Sequence, residues 1–108
     1  MSEQVSEIDG KVVVKLSGDV DLEHCPAVRG LLLDGVSHGK DLLVDLSEVS
    51  YLDSSGIASL VEALQIAVKN GTALKLFSAS DQAMRVFELA RLDKVFAIHP
   101  DLDAALTS

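Results

Sequence analysis

Two serines, Ser54 and Ser55, follow Asp53 and precede Gly56 at the point where an apolar stretch gives way to a long amphipathic one. A serine at a helix start can cap the helix, act as a nucleophile or accept a phosphate, and the neighbouring residues separate these uses. Capping explains only one of the two hydroxyls. It also leaves Gly56 unexplained, because glycine in a first helical turn costs up to about 1 kcal/mol relative to alanine. Glycine makes sense there if another backbone or a ligand must come close. A nucleophilic serine needs a base within hydrogen-bond reach, and of His24, His38 and His99 only His24 belongs to a segment that approaches this point. Neither Ser54 nor Ser55 sits in a Gly-x-Ser-x-Gly elbow or in a glycine-rich phosphate loop. The surroundings favour a phosphate acceptor over an enzyme.

A phosphate on Ser54 would add about −1.5 to −2 charge at a helix N-terminus, where the macrodipole favours anions by roughly 0.3 to 1 kcal/mol. The fold should survive it. At a protein interface the same charge, beside Asp19, Asp21 and Asp53, would cost several kcal/mol through repulsion and desolvation. Partner binding should therefore respond where stability does not. The three aspartates are an acidic rim rather than a magnesium site, since such sites lean on substrate phosphates for their remaining ligands.

Composition bounds the other possibilities. The chain has 108 residues, 48% of them apolar, enough for one domain with a core over 1–108 and too few for two. A net charge of −8 argues against nucleic acid, whose phosphates call for clustered Lys and Arg. No apolar run approaches the roughly 20 residues of a membrane-spanning helix, and the polar start Ser2-Glu3-Gln4 is unlike a secretory signal, so a cytoplasmic protein without membrane insertion is expected. Cys25 is the only cysteine, which excludes an intrachain disulfide and reads as a small residue at a helix start. The three histidines lack metal-ligand spacing, and neither a metal nor another cofactor is expected.

The elements that position Ser54 follow from periodicity. Asp9-Gly10 between apolar runs at 5–8 and 11–16 signals a hairpin. Val28, Leu31, Leu32 and Val36 form a helical stripe, with Pro26 in the first turn and Gly39 beyond the end. Residues 42–46 read as a buried strand. From Ser54 a helix carries Ile57, Leu60, Val61, Leu64 and Val68 on one face and stops at Asn70-Gly71. Residues 74–77 give another strand, and Ser80 caps a helix that turns Met84, Phe87, Leu89, Ala90 and Leu92 partly inward. Residues 95–98 close the sheet, and Pro100-Asp101 opens a short helix with Leu102, Ala105 and Leu106 on its packing side.

This order predicts an α/β layered domain: a mixed sheet of about five strands with an N-terminal hairpin, parallel later strands and about four helices. Ligand sites in such sheets gather where parallel strands end and helices begin. Residues 18–21, 53–56 and 78–80 should meet there. On the second helix Ser55, Ser59, Glu62 and Ile66 follow helical spacing away from the main stripe, with Ala58 nearby, a face of small residues that a partner could approach. An ordinary solvated face is the competing reading.

Asp45-Leu46-Ser47 through Leu52-Asp53-Ser54-Ser55-Gly56-Ile57, preceded by Leu16-Ser17-Gly18-Asp19-Val20-Asp21, resembles the STAS domain of bacterial anti-sigma factor antagonists. The resemblance spans essentially the whole chain. It implies that Ser54 is phosphorylated by an anti-sigma factor that is itself a Ser/Thr kinase with a histidine-kinase-type ATP-binding fold. It also implies that the unphosphorylated form binds this kinase and frees a sigma factor, and that a metal-dependent Ser/Thr phosphatase restores it. Asp21, Asp53 and the start of the second helix would contribute to the kinase-binding surface, with Ser55 a neighbour rather than the acceptor. Together with the charge and helix-face readings, the expected partner-binding residues are Asp19, Asp21, Asp53, Ser55, Gly56, Ser59 and Glu62. The alternative is a small STAS subunit docked permanently on the ATPase of a lipid-transporting ABC complex, with no phosphate cycle.

Overall fold

The computed structural model describes residues 3–107, with side chains for 5–107. Asp9 and Gly10 both take positive φ, 54° and 76°, the left-handed pair whose twist suits a two-residue hairpin turn. Strand β1 (Glu3–Ile8) accordingly pairs antiparallel with β2 (Lys11–Val20), from Ile8 opposite Lys11 to Glu3 opposite Leu16. The chain continues as α1 (Cys25–Val36), β3 (Leu42–Leu52), α2 (Ser54–Lys69), β4 (Leu74–Phe77), α3 (Asp81–Leu89), β5 (Ala97–His99) and α4 (Leu102–Thr107). Strands β2 to β5 are parallel, and the sheet order is β1-β2-β3-β4-β5.

Each new strand joins the same side of the last, so the crossover helices α1, α2 and α3 share one face of the sheet. Alternate strand residues Val14, Leu16, Val44, Leu46 and Leu76 meet Val28, Leu32, Leu60, Ala63 and Phe87 in the main core. The residues between them, Val13, Leu43 and Phe77, point to the other face and meet Leu102, Ala105 and Leu106 of α4. Burial on both faces is why 42–46 is continuously apolar. Lys11 Nζ donates to the Leu106 carbonyl at 2.9 Å and Lys75 Nζ to the Ala105 carbonyl at 3.4 Å, so two cations satisfy the free carbonyls at the end of α4.

Two strands outrun their apolar patterns, and this shapes the functional end. β2 continues to Val20, so Gly18, Asp19 and Val20 lie within the strand instead of in a segment leaving it, and β3 continues to Leu52. The pairing absorbs one extra β3 residue between Lys15 and Ser17 and another between Gly18 and Asp19. Gly18 sits at the second irregularity with φ of 77°, a bulge conformation that glycine adopts without strain. Strand β4 ends at Phe77, opposite Asp45. Among the described residues the β2–β3 pair thus projects beyond the rest of the sheet and carries its tip, Val20 and Leu52, to the start of α2.

Three packing expectations are corrected. Val68 is 69% exposed and Leu89 80% exposed, so neither belongs to an inward stripe. Residues 95–98 give a strand only from Ala97 to His99, and Val95 faces solvent. The buried face of α2 is built from Gly56, Ser59, Leu60, Ala63 and Ala67, with Ile57, Val61, Leu64 and Ile66 half-buried at its margins. Small residues dominate that face because α1 lies close against it. At its far end α2 stops as expected: Gly71 N–H donates to Val68 and Thr72 N–H to Ala67, the paired bonds of a helix ending in a left-handed glycine.

Candidate functional site

One carboxylate closes the tip of the projecting strand pair. Asp53 is extended (φ −109°, ψ −175°), and its Oδ1 accepts the N–H groups of Ser55 at 2.9 Å and Gly56 at 3.1 Å. Its Oδ2 accepts the Leu22 N–H at 3.1 Å, and its own N–H donates to the Val20 carbonyl at 3.3 Å. Asp53 therefore caps α2 and at the same time ties the segment leaving β2 to the helix start. Ser54, the first residue of α2, is left exposed, and its hydroxyl has no hydrogen-bond partner among the described residues. Capping accounts for the aspartate and for neither serine.

The close approach that Gly56 implies comes from the protein's own backbone. A Cβ there would lie 2.6 Å from the Val20 carbonyl oxygen, 2.6 Å from Leu52 Cδ1 and 2.8 Å from Val20 Cγ1. Gly56 is buried, so it seats α2 against the strand tip and offers nothing to a partner, contrary to the sequence expectation.

The expected open face of α2 is likewise a seam within the fold. Helix α1 runs alongside α2: Cys25 Sγ lies 2.8 Å from Ser59 Oγ, Arg29 grips Glu62 through two bonds of 2.6 and 2.8 Å, and Asn70 Nδ2 donates to Val36 at 3.4 Å. Ser59 is only 3% exposed, with its hydroxyl also donating to the Ser55 carbonyl at 3.2 Å. Contrary to the sequence expectation, Ser59 is too buried to serve as a contact residue. Glu62 is half-buried and committed to Arg29; their hydrogen bonds hold the Glu62 carboxyl below its ordinary value and raise the Arg29 guanidinium. Ser55 is half-buried, with its carbonyl taken by Cys25 Sγ at 3.3 Å.

The acidic rim is present, with each carboxylate engaged separately. Asp19 is exposed and accepts the Ser50 hydroxyl at 3.2 Å. Asp21 Oδ1 accepts the His24 backbone N–H at 3.1 Å and lies 2.8 Å from His24 Nδ1, and these bonds, the backbone one foremost, hold its carboxyl below the ordinary value of 3.8. His24 is thereby directed at Asp21. Among the described residues no group of three or more His, Cys, Asp or Glu could hold a metal ion. Residues 18–21 and 53–56 meet as expected, and Ser80, which caps α3, bonds β3 at Leu46 and at Val49, the strand partner of Gly18.

Sequence reasoning missed two apolar residues at this end. Leu22 is 73% exposed although its backbone is fixed by Asp53, and Tyr51, opposite Asp19 on β3, is 52% exposed. The available signal was that Leu22 lies outside the helical stripe that begins at Val28, in an acidic stretch between Asp21 and Glu23.

Comparison with known proteins places this geometry. Residues 3–100 match the family model described as Mlab, STAS domain. The chain is 30% identical over 94 residues to the anti-sigma-B factor antagonist of Bacillus subtilis, covering 87% of this chain and 86% of that protein. The crystal structure of an anti-sigma factor antagonist from Mycobacterium paratuberculosis superposes with a TM-score of 0.89 at 31% identity, covering 98% and 91% of the two chains. SpoIIAA, solved in its unphosphorylated form (TM-score 0.80, 16% identity, 97% and 93% covered) and its phosphorylated form (0.75, 17%, 98% and 97%), shares the fold. No helix among the described residues is long and apolar enough to cross a membrane. With its hairpin-led five-stranded sheet, its four helices and these matches along nearly its full length, the chain belongs to the STAS-domain family of anti-sigma factor antagonists.

Proposed function

We propose that this protein is a phosphorylation-controlled partner switch in the cytoplasm. With Ser54 unmodified it binds an anti-sigma factor that is also a Ser/Thr kinase; phosphate on Ser54 ends that binding, and a Ser/Thr phosphatase restores it. The observation that carries this reading is the division of labour between Asp53 and Ser54. The aspartate does all the capping, and the serine hydroxyl stands exposed at the positive end of a 16-residue helix. A dianion there is tolerated by the fold, yet it meets Asp19, Asp21 and Glu23 at any surface pressed against the tip. The family supports it too, since SpoIIAA has been solved in both phosphorylation states.

The protein itself acts without catalysis in this reading. The imidazole closest in the chain to the tip is bonded to Asp21, and no base among the described residues is hydrogen-bonded to the Ser54 hydroxyl. The second reading is a permanently docked STAS subunit of a lipid-transporting ABC complex, which the Mlab description of the matching family model keeps in view.

Paired baits separate the two. Ser54→Ala and Ser54→Asp proteins are immobilised, exposed to extract of the native host, and the retained proteins identified by mass spectrometry. A kinase-type ATPase held by the alanine bait and lost from the aspartate bait supports the switch. Transporter subunits held equally by both would replace it with the second reading.

A further inference from the structure

The exposed leucine at the tip has no role in the fold. Leu22 is 73% exposed, takes no part in the core, and yet its main chain is pinned by the bond from its N–H to Asp53 Oδ2 at 3.1 Å. The other oxygen of the same carboxylate holds the N–H groups of Ser55 and Gly56, the two residues that follow Ser54 in the first turn of α2. The main chains at Leu22 and at the start of α2 are therefore tied together by a single carboxylate, although Leu22 and Asp53 are 31 positions apart in the sequence. A surface residue that is apolar and also pre-positioned has the properties of an interface anchor, because little conformational freedom is lost when it is buried. Its surroundings specify what can cover it. Asp19 and Glu23 are exposed on either side, Asp21 is half-buried between them, and Tyr51 opposite Asp19 is half-exposed. No Lys or Arg occurs between Leu16 and Pro26 or between Leu46 and Ala67 in the sequence to neutralise them.

We infer that Leu22 is the docking anchor of the switch surface, entering an apolar pocket of the partner rimmed by Lys or Arg side chains, and that Asp53 sets the distance from this anchor to the acceptor Ser54. The inference rests on the proposed function and adds to it a recognition element separate from the acceptor. Opposite charge at the rim speeds encounter and fixes register, while the buried leucine supplies affinity. As a docking residue Leu22 acts on the binding step of phosphorylation: its loss raises KM for the protein substrate and leaves kcat near its original value. Asp53 is a positioning residue, and its loss lowers kcat as well, since the serine no longer arrives in register with the docked leucine.

The test uses the host's purified anti-sigma factor kinase with ATP and magnesium, and full-length wild type, Leu22→Ser, Leu22→Met and Asp53→Asn proteins, with Leu89→Ser as a control for loss of an exposed leucine elsewhere. Binding is followed by calorimetric titration in the presence of ADP, phosphorylation by intact-protein mass spectrometry, and folding by circular dichroism. The expected result is a loss of affinity of about 10- to 100-fold for Leu22→Ser with folding unchanged, recovery in Leu22→Met, and wild-type behaviour in Leu89→Ser. Leu22→Ser should raise KM at constant kcat, and Asp53→Asn should lower kcat. If Leu22→Ser binds as wild type does while Ser54→Asp fails to bind, the anchor is overturned and the switch stands. If wild type and Ser54→Ala both fail to bind the kinase, the switch and the anchor fall together.

Discussion

The Asp53 carboxylate joins Leu22 to the first turn of α2, taking the Leu22 N–H on Oδ2 at 3.1 Å while Oδ1 takes the N–H groups of Ser55 and Gly56. One side chain thus serves as helix cap and as clamp between two segments remote in sequence. Replacing Asp53 with alanine removes both functions. The expected cost is about 0.5–2 kcal/mol, with each 1 kcal/mol lowering Tm by roughly 4–8 °C in a domain of this size. Thermal melting checks it, and a Tm equal to wild type would deny the cap.

Gly56 is the closest point between α2 and the strand tip. Gly56→Ala gains helix propensity of up to about 1 kcal/mol but drives a methyl to 2.6 Å from the Val20 carbonyl and from Leu52. Backbone oxygen cannot rotate away as a flexible side chain can. Overpacking of this kind costs about 1–3 kcal/mol, so the variant should be net destabilised in urea titration despite alanine's preference for helix.

Charge at Ser54 should leave the fold intact. Ser54 is exposed at the first position of α2, and an anion near a helix N-terminus contributes roughly 0.3–1 kcal/mol in its favour. Ser54→Asp is expected to melt within a few degrees of wild type, about the range one such contribution allows. A cooperative transition lost altogether would remove the basis for a switch that acts on binding alone.

Asp21 gives the acid limb of stability a specific contributor. The His24 backbone N–H and then its imidazole favour the ionised carboxylate, so the folded-state pKa lies below the ordinary 3.8. A depressed carboxylate stabilises the fold fully above its unfolded value, and that contribution fades as pH falls through the unfolded and then the folded value. Below about pH 4, wild type should lose stability more steeply than Asp21→Asn, which has no carboxylate to protonate. Urea titrations at stepped pH give the two slopes.

Local chemistry was legible where one or two residues decide the outcome. Asp9-Gly10 announces the hairpin, Asn70-Gly71 the helix stop and Ser80 the cap of α3, because only certain residues accept those backbone angles or bonds. Less legible was anything set by what lies opposite. Ser47, Glu48, Ser50 and Tyr51 look like a loop, yet they extend β3 because β2 extends beside them to Val20. The face of α2 bearing Ser59 and Glu62 looked open because apolar periodicity points to Ile57, Leu64 and Val68. The small, buried Ser59 and the paired Glu62 define the seam only once α1 is known to lie there. The exposed Ser54 at the start of α2 was readable and most of the surface around it was not: Gly56, Ser59 and Glu62 turn inward or to α1, and Leu22 stands exposed nearby.

Ser54 as the switch residue is tested most directly by incubating the wild-type protein with the host's anti-sigma factor kinase and ATP, mapping the modified residue by tandem mass spectrometry, and measuring the affinity of the purified modified form for the same kinase. A single phosphate on Ser54, absent from Ser54→Ala, with binding lost in the modified form, is the predicted result. A phosphate on Ser55, no phosphate at all, or a modified protein that binds as tightly as the unmodified one would contradict it.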